Sequence, residues 1–139
     1  MFGFWRKRED QFEVEMRLIR DEINRSERFG YGFVLLVVEI SHSAPRGLSK
    51  LFPGRTLSFH ILEKNLRSYD RVGETALRRY HVLLPQTDEE GGQVIEARIK
   101  ELVRKSNFGD VTIGSACYPE DGKTPRALIE HAVSQIPSF

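Results

Sequence analysis

Charged groups that could do chemistry gather in one segment, RSYDRVGETALRRYHVLLP, spanning 67–85. The residues flanking ALRR read as two hairpin strands, near 70–76 and 79–85, with Arg78 and Arg79 at the turn. An arginine is always protonated and presents a planar fork of donors. The pair could grip a phosphate or an acidic partner, or simply stand in solvent at a hairpin tip. The other reactive side chains form no constellation. His42, His60, His81 and His131 lack zinc spacing and read as surface or packing residues, and a single cysteine supplies no ligand cluster. Cys117 reads as a small core residue on a strand. Neither a Ser-His-Asp or Cys-His arrangement nor a phosphate loop can be assembled, and no cofactor is implied.

The elements that would position these groups belong to one domain. The chain has 139 residues, 40% hydrophobic and 29% charged, as expected of a soluble globular protein with one core. A formal net charge of +1 gives no bulk electrostatic case for nucleic acid, so any basic site must be a local cluster. With one cysteine there is no internal disulfide, which fits a reducing compartment. The longest apolar run, FVLLVV at 33–38, is too short to span a bilayer. Residues 1–8 read as an aromatic and basic leader, and the protein as cytoplasmic.

Phe12, Met16, Ile19 and Ile23 recur at helical spacing within 9–28, and Gly30 ends that helix. YGFVLLVVEIS (31–41) is almost continuously apolar and β-branched, the pattern of a central strand buried on both faces. Residues 42–55 are punctuated by proline and glycine as a loop, and 56–68 form a helix with Leu57, Ile61, Leu62 and Leu66. After the hairpin comes a helix over 88–106 with Val94, Ile95, Ile99 and Val103 inward, then a strand over 110–119. A turn at 120–124 leads to a last helix over 125–136 with proline in its first turn. The order αβαββαβα over 9–139 predicts an α/β (α+β) domain, a sheet of at least four strands with helices packed on it.

That order, carrying EINRSERFGYGFVLLVVEIS, LLPQTDEEGGQVIEARIKELV and VTIGSACYPEDGKT, resembles the GGDEF domain of diguanylate cyclases from about 22 to 135. The resemblance implies a nucleotide-cyclase palm related to ferredoxin-like folds, with a mainly antiparallel sheet. In that family the hairpin turn reads Gly-Gly-Asp-Glu-Phe; ungapped counting puts Ala76, Leu77, Arg78, Arg79 and Tyr80 there. The implied reaction joins two GTP molecules, with metal ions neutralising phosphate charge. Mg²⁺ takes hard oxygen ligands, and an arginine repels it. The family's Asp-x-Asp on the first strand becomes Glu39-Ile40-Ser41, which leaves Glu39 as the only residual metal candidate. The following loop is shorter and lacks the family's guanine-reading Asn and Asp. Together these departures imply a domain that is not an enzyme.

The family also carries an inhibitory Arg-x-x-Asp site ahead of the signature, where product binds. Arg67-Ser68-Tyr69-Asp70 stands in that register, separated from ALRRY by RVGET, and Arg98 falls where a further arginine from the next helix completes the site. An arginine fork suits a phosphate or the O6 and N7 of guanine, and a carboxylate can accept from the guanine N–H edge. The same pair could also be a surface ion pair of little energetic weight. Two functions from different classes are open. One is a catalytically inactive regulatory module that binds cyclic di-GMP through Arg67, Asp70 and Arg98 and signals to a protein partner. The other is a scaffold for protein interaction or homodimerisation that binds no nucleotide.

Overall fold

The computed structural model describes residues 2–41, 57–76, 78–106 and 109–137, the side chains of 2–11, 57 and 58 excepted. The elements run α1 (Phe2–Phe29), β1 (Phe33–Ile40), α2 (Leu57–Lys64), β2 (Arg71–Ala76), β3 (Arg79–Pro85), α3 (Glu89–Lys105), β4 (Val111–Tyr118) and α4 (Pro125–Ser134). The strands form a four-stranded sheet in the order β2-β3-β1-β4, and every neighbouring pair is antiparallel. This is the ferredoxin-like βαββαβ arrangement, with α1 leading and α4 closing. The loop expected over 42–55 lies outside the described residues. Among those described, no helix is long and apolar enough to cross a membrane.

β1 is central because its sequence lets it be. Phe33 to Val38 are all at most 1% exposed, since alternate side chains enter two different cores. Val34, Leu36, Val38 and Ile40 join Tyr80, Val82 and Leu84 beneath α2 and α3. Phe33, Leu35 and Val37 join Leu83, Ala116 and Tyr118 beneath α1 and α4. Phe33 and Tyr118 are register partners whose rings stack at 5.1 Å between centroids.

The helices are capped by the residues that announce them. Asp88 accepts from Gly91 N at 2.8 Å at the start of α3, which has Glu89 and Glu90 in its first turn and Arg104 and Lys105 in its last. Thr124 does the same for α4 through Ala127 N, with Pro125 next in the chain. On β4, Ser115 and Cys117 turn their backbone groups away from β1. The Gln135 amide accepts from Ser115 N at 2.9 Å and donates to Ser115 O at 2.8 Å. Asp121 accepts from Cys117 N and returns its own N–H to Cys117 O.

Several expectations are corrected. The first helix begins at Phe2, ahead of residue 9, and Phe12, at its outer end, is 47% exposed, while Ile19 and Ile23 are buried. Val94 is 59% exposed, because Ile95, Ile99 and Val103 already define the inward stripe of α3 at spacings of four. α2 stops at Lys64, where Asn65 N–H reaches back to Leu62 O and its side chain to Ile61 O. Phe59, which the apolar reading passed over, is buried on that helix together with Leu62.

His81 is a core residue, 4% exposed, with Nδ1 buried and unpartnered. Burial, and secondarily the Arg79 charge, lower its pKa to about 4. The folded pKa lies below the ordinary 6.5, so the neutral form is favoured by folding. Its full contribution is present above pH 6.5 and is lost as pH falls through about 4. Stability should therefore drop by about 2 kcal/mol between pH 7.5 and 5 through this residue. Urea unfolding at both pH values checks this; a profile as steep in His81→Leu as in wild type would reject it.

Candidate functional site

At the hairpin tip Ala76 pairs with Arg79, and the register of β2 shifts between Glu74 and Ala76. Arg78 takes up the left-handed conformation the tight turn requires, at φ +63°. Its carbonyl accepts from Ile40 N at 3.0 Å, and its Nη1 donates to Ser41 O at 2.9 Å. The tip is thus tied to the end of β1. Tyr80, the aromatic at the signature's last position, is 1% exposed in the core, and Ala76 is exposed. Leu77 lies outside the described residues.

The antiparallel register of β1 and β3 sets Arg79 directly opposite Glu39. Arg79 Nε donates to Glu39 Oε1 at 2.6 Å, and its Nη2 donates to the same oxygen. Both side chains are about one-third exposed, so the bond is worth at most ~1 kcal/mol. Its chemical effect is larger than that, since the one carboxylate expected as a metal ligand carries a guanidinium in its place. Ser41, two residues on, is stapled to the start of β4: its Oγ accepts from Asp110 N, and its N–H donates to Asp110 O. Among the described residues no group of three or more His, Cys, Asp or Glu side chains could hold a metal ion.

Arg67 and Asp70 are brought together at the other end of β2. Arg67 Nε lies 2.9 Å from Oδ2 and 3.1 Å from Oδ1 of Asp70, Nη2 lies 2.9 Å from Oδ1, and Arg67 N donates to Oδ2 at 2.9 Å. Asp70 N returns a bond to Arg67 O. The Asp70 side chain has no exposed surface, while that of Arg67 is 35% exposed. Hydrogen bonding to Asp70 holds the guanidinium pKa above its ordinary value, against the opposing effect of burial. Two residues absent from the sequence expectation complete the corner. Thr87, buried, accepts from Arg67 Nη2 at 2.8 Å and passes its own proton to Pro85 O. The Tyr69 ring lies 4.6 Å from the Arg67 guanidinium. Tyr69 was visible as a residue within RSYD; no local signal ties Thr87 to Arg67.

Arg67 lines two cavities. The larger, about 820 Å³, opens between the start of α3 and the turn after β4, where Asp88, Glu89, Glu120 and Asp121 surround it. Cys117 also lines it, with its thiol pushed up to about 11, first by burial and then by Asp121, Glu120, Glu89 and Glu96. The smaller, about 410 Å³, lies toward α2 and carries Arg71 as well as Arg67, with Glu63 and Asp70 opposed. Arg98 is exposed on α3 and lines neither. An anion would meet repulsion in the larger cleft, while in the smaller one two arginines are balanced by two carboxylates.

No family model matches the chain, and no curated protein matches it. Solved structures do. A DGC protein from Thermotoga maritima aligns over 90% of this chain and 93% of its own, at TM-score 0.72 and 17% identity. The GGDEF domain of YfiN from Pseudomonas aeruginosa aligns over 87% and 83%, at 0.68 and 20% identity. A microbial GGDEF domain described in a novel interaction mode with cyclic di-GMP aligns over 88% and 79%, at 0.62 and 19% identity. Across that span, this chain has the fold of the GGDEF domain.

Proposed function

We propose that this is a regulatory domain of GGDEF fold that has no cyclase activity and binds cyclic di-GMP at the Arg67 corner. The non-catalytic half is supported by Arg79 sitting on Glu39, which puts positive charge where phosphate-bound metal would need oxygen ligands. The binding half is carried by one observation, a guanidinium fixed by a wholly buried carboxylate yet one-third exposed at the wall of a cleft. A guanidinium held rigid in this way loses little entropy when Nη1, which bonds neither Asp70 nor Thr87, donates to a phosphate or a base. A GGDEF domain of the same fold that interacts with cyclic di-GMP adds support. Arg98 would contribute only to the outer rim of such a complex, from the exposed face of α3.

Titration calorimetry with cyclic di-GMP on wild type, Arg67→Lys and Arg98→Ala tests the reading. Lysine keeps a charge beside Asp70 but loses the fork, so affinity should fall by about tenfold or more. No heat with wild type would leave the alternative, a scaffold or dimerisation domain that signals through a protein partner alone. Incubation with GTP and Mg²⁺ should yield no cyclic product; clear turnover would overturn the non-catalytic half.

A further inference from the structure

We propose that α1 is a hinged lever, held to the sheet at its C-terminal end, whose stretch around Glu15 rides on a polar seam and swings off while the rest of the domain stays folded.

The stripe that α1 turns to the sheet is unlike that of α3. Among the described residues of α1 the buried ones are Glu15, Ile19, Glu22, Ile23 and Ser26. Glu15, Ile19, Glu22 and Ser26 follow one another at spacings of four, three and four. The midline of the buried face therefore carries two carboxylates and a hydroxyl. On α3 the same line is Gly92, Ile95, Ile99 and Val103. Of the described side chains of α1, Ile19 and Ile23 alone are buried in the core cluster, and such apolar burial is what holds a helix to a sheet.

The sheet beneath is polar as well. Leu83 of β3 packs with Ile19 and Ile23, so strand alternation turns His81, two residues earlier, to the same face. Its Nδ1 is buried and has no hydrogen-bond partner. Gly73 of β2 is the register partner of His81, and a Cβ built on Gly73 would meet the Glu15 carboxylate at 1.7 Å. A buried carboxylate and a buried imidazole thus occupy neighbouring places under α1. Buried polar groups gain less from staying packed than apolar ones, because they recover their hydration when an interface opens. Segments that bury few apolar contacts are the ones that open locally.

The far end is built differently. Tyr31 OH donates to Glu22 Oε2 at 2.9 Å, Tyr118 OH donates to Glu27 Oε1 at 3.2 Å, and the Tyr118 ring stacks on Phe33 of β1. Gly30 N closes the helix on Ser26 O at 2.8 Å. These bonds clamp 22–30 and reach none of 12–19, where Phe12 and Val14 already stand exposed. Leu18, on the stretch that leaves, lines the smaller cleft, so the swing reshapes the wall of that cleft.

The test is amide hydrogen exchange on the whole chain, read residue by residue at increasing low urea. Amides 14–20 should be at least about a hundredfold less protected than those of 34–38, with a smaller urea slope, while 24–28 stay well protected. His81→Leu changes no residue of α1 yet should raise protection at 14–20 by about tenfold. Fraying from the helix end would ignore a substitution on β3. Gly73→Ala, which displaces the Glu15 carboxylate, should lower protection at 14–20, and Tyr31→Phe should carry the opening into 24–28. Equal protection and equal urea slopes at 14–20 and 34–38 overturn the inference, since α1 then leaves only when the domain unfolds. It is overturned too if His81→Leu brings no gain at 14–20, or if Tyr31→Phe leaves 24–28 as protected as in wild type. Wild type and His81→Leu decide the matter even if Gly73→Ala fails to fold.

Discussion

Replacing Gly114 by alanine is expected to destabilise the domain by more than about 3 kcal/mol, the largest effect of any single methyl group added to the sheet. Gly114 lies in β4 opposite Val37, on the face that α4 covers. A Cβ built there would stand 1.8 Å from the carbonyl oxygen of Ala132 and 2.7 Å from its carbon. Both are backbone atoms of a helix, so no side-chain rotation can relieve the overlap. α4 must lift, and Leu128, Ala132 and Ile136, all buried beneath it, lose their contacts. Gly73→Ala is a useful contrast, because there the obstructing atoms are the carboxylate end of Glu15, which can swing aside. Denaturant midpoints for both variants check the argument, and equal losses would refute it.

Arg67→Ala should cost about 3 kcal/mol or more before any ligand is considered. The substitution leaves the Asp70 carboxylate with no exposed surface and without its three guanidinium bonds. Part of the usual penalty for breaking a buried pair is spared, because Arg67 itself is 35% exposed and water can follow it in. The paired change Arg67→Ala with Asp70→Ala removes the stranded charge and should recover most of the loss. Urea unfolding of the two variants measures the difference. If the double variant is no more stable than the single one, Asp70 is not stranded and its burial has been misjudged.

Element order was legible because each element is announced locally. The unbroken apolar run at 33–38 could only be a central strand, and glycine, proline and capping residues punctuate the rest of the chain. Faces were less legible. Val94 and Phe12 fit a helical period, yet hydrophobicity alone cannot say where a helix has outrun its partner or which of two adjacent apolar residues points inward. The Arg67–Asp70 pair was readable, since three residues span one helical turn and here one tight corner. The bond from Arg79 to Glu39 spans 40 residues and follows from strand register, which no local pattern encodes. Thr87 reaches Arg67 across 20 residues for a similar reason, placed by the end of β3.

Gln135 and Asp121, which take up the outward backbone groups of Ser115 and Cys117, bear on how copies of this chain could assemble. A bare sheet margin is an invitation to strand exchange and fibril growth. Along that half of β4 the invitation is withdrawn by two side chains at the cost of no extra element. A second copy that prolonged the sheet along that half of the strand would first have to evict both side chains.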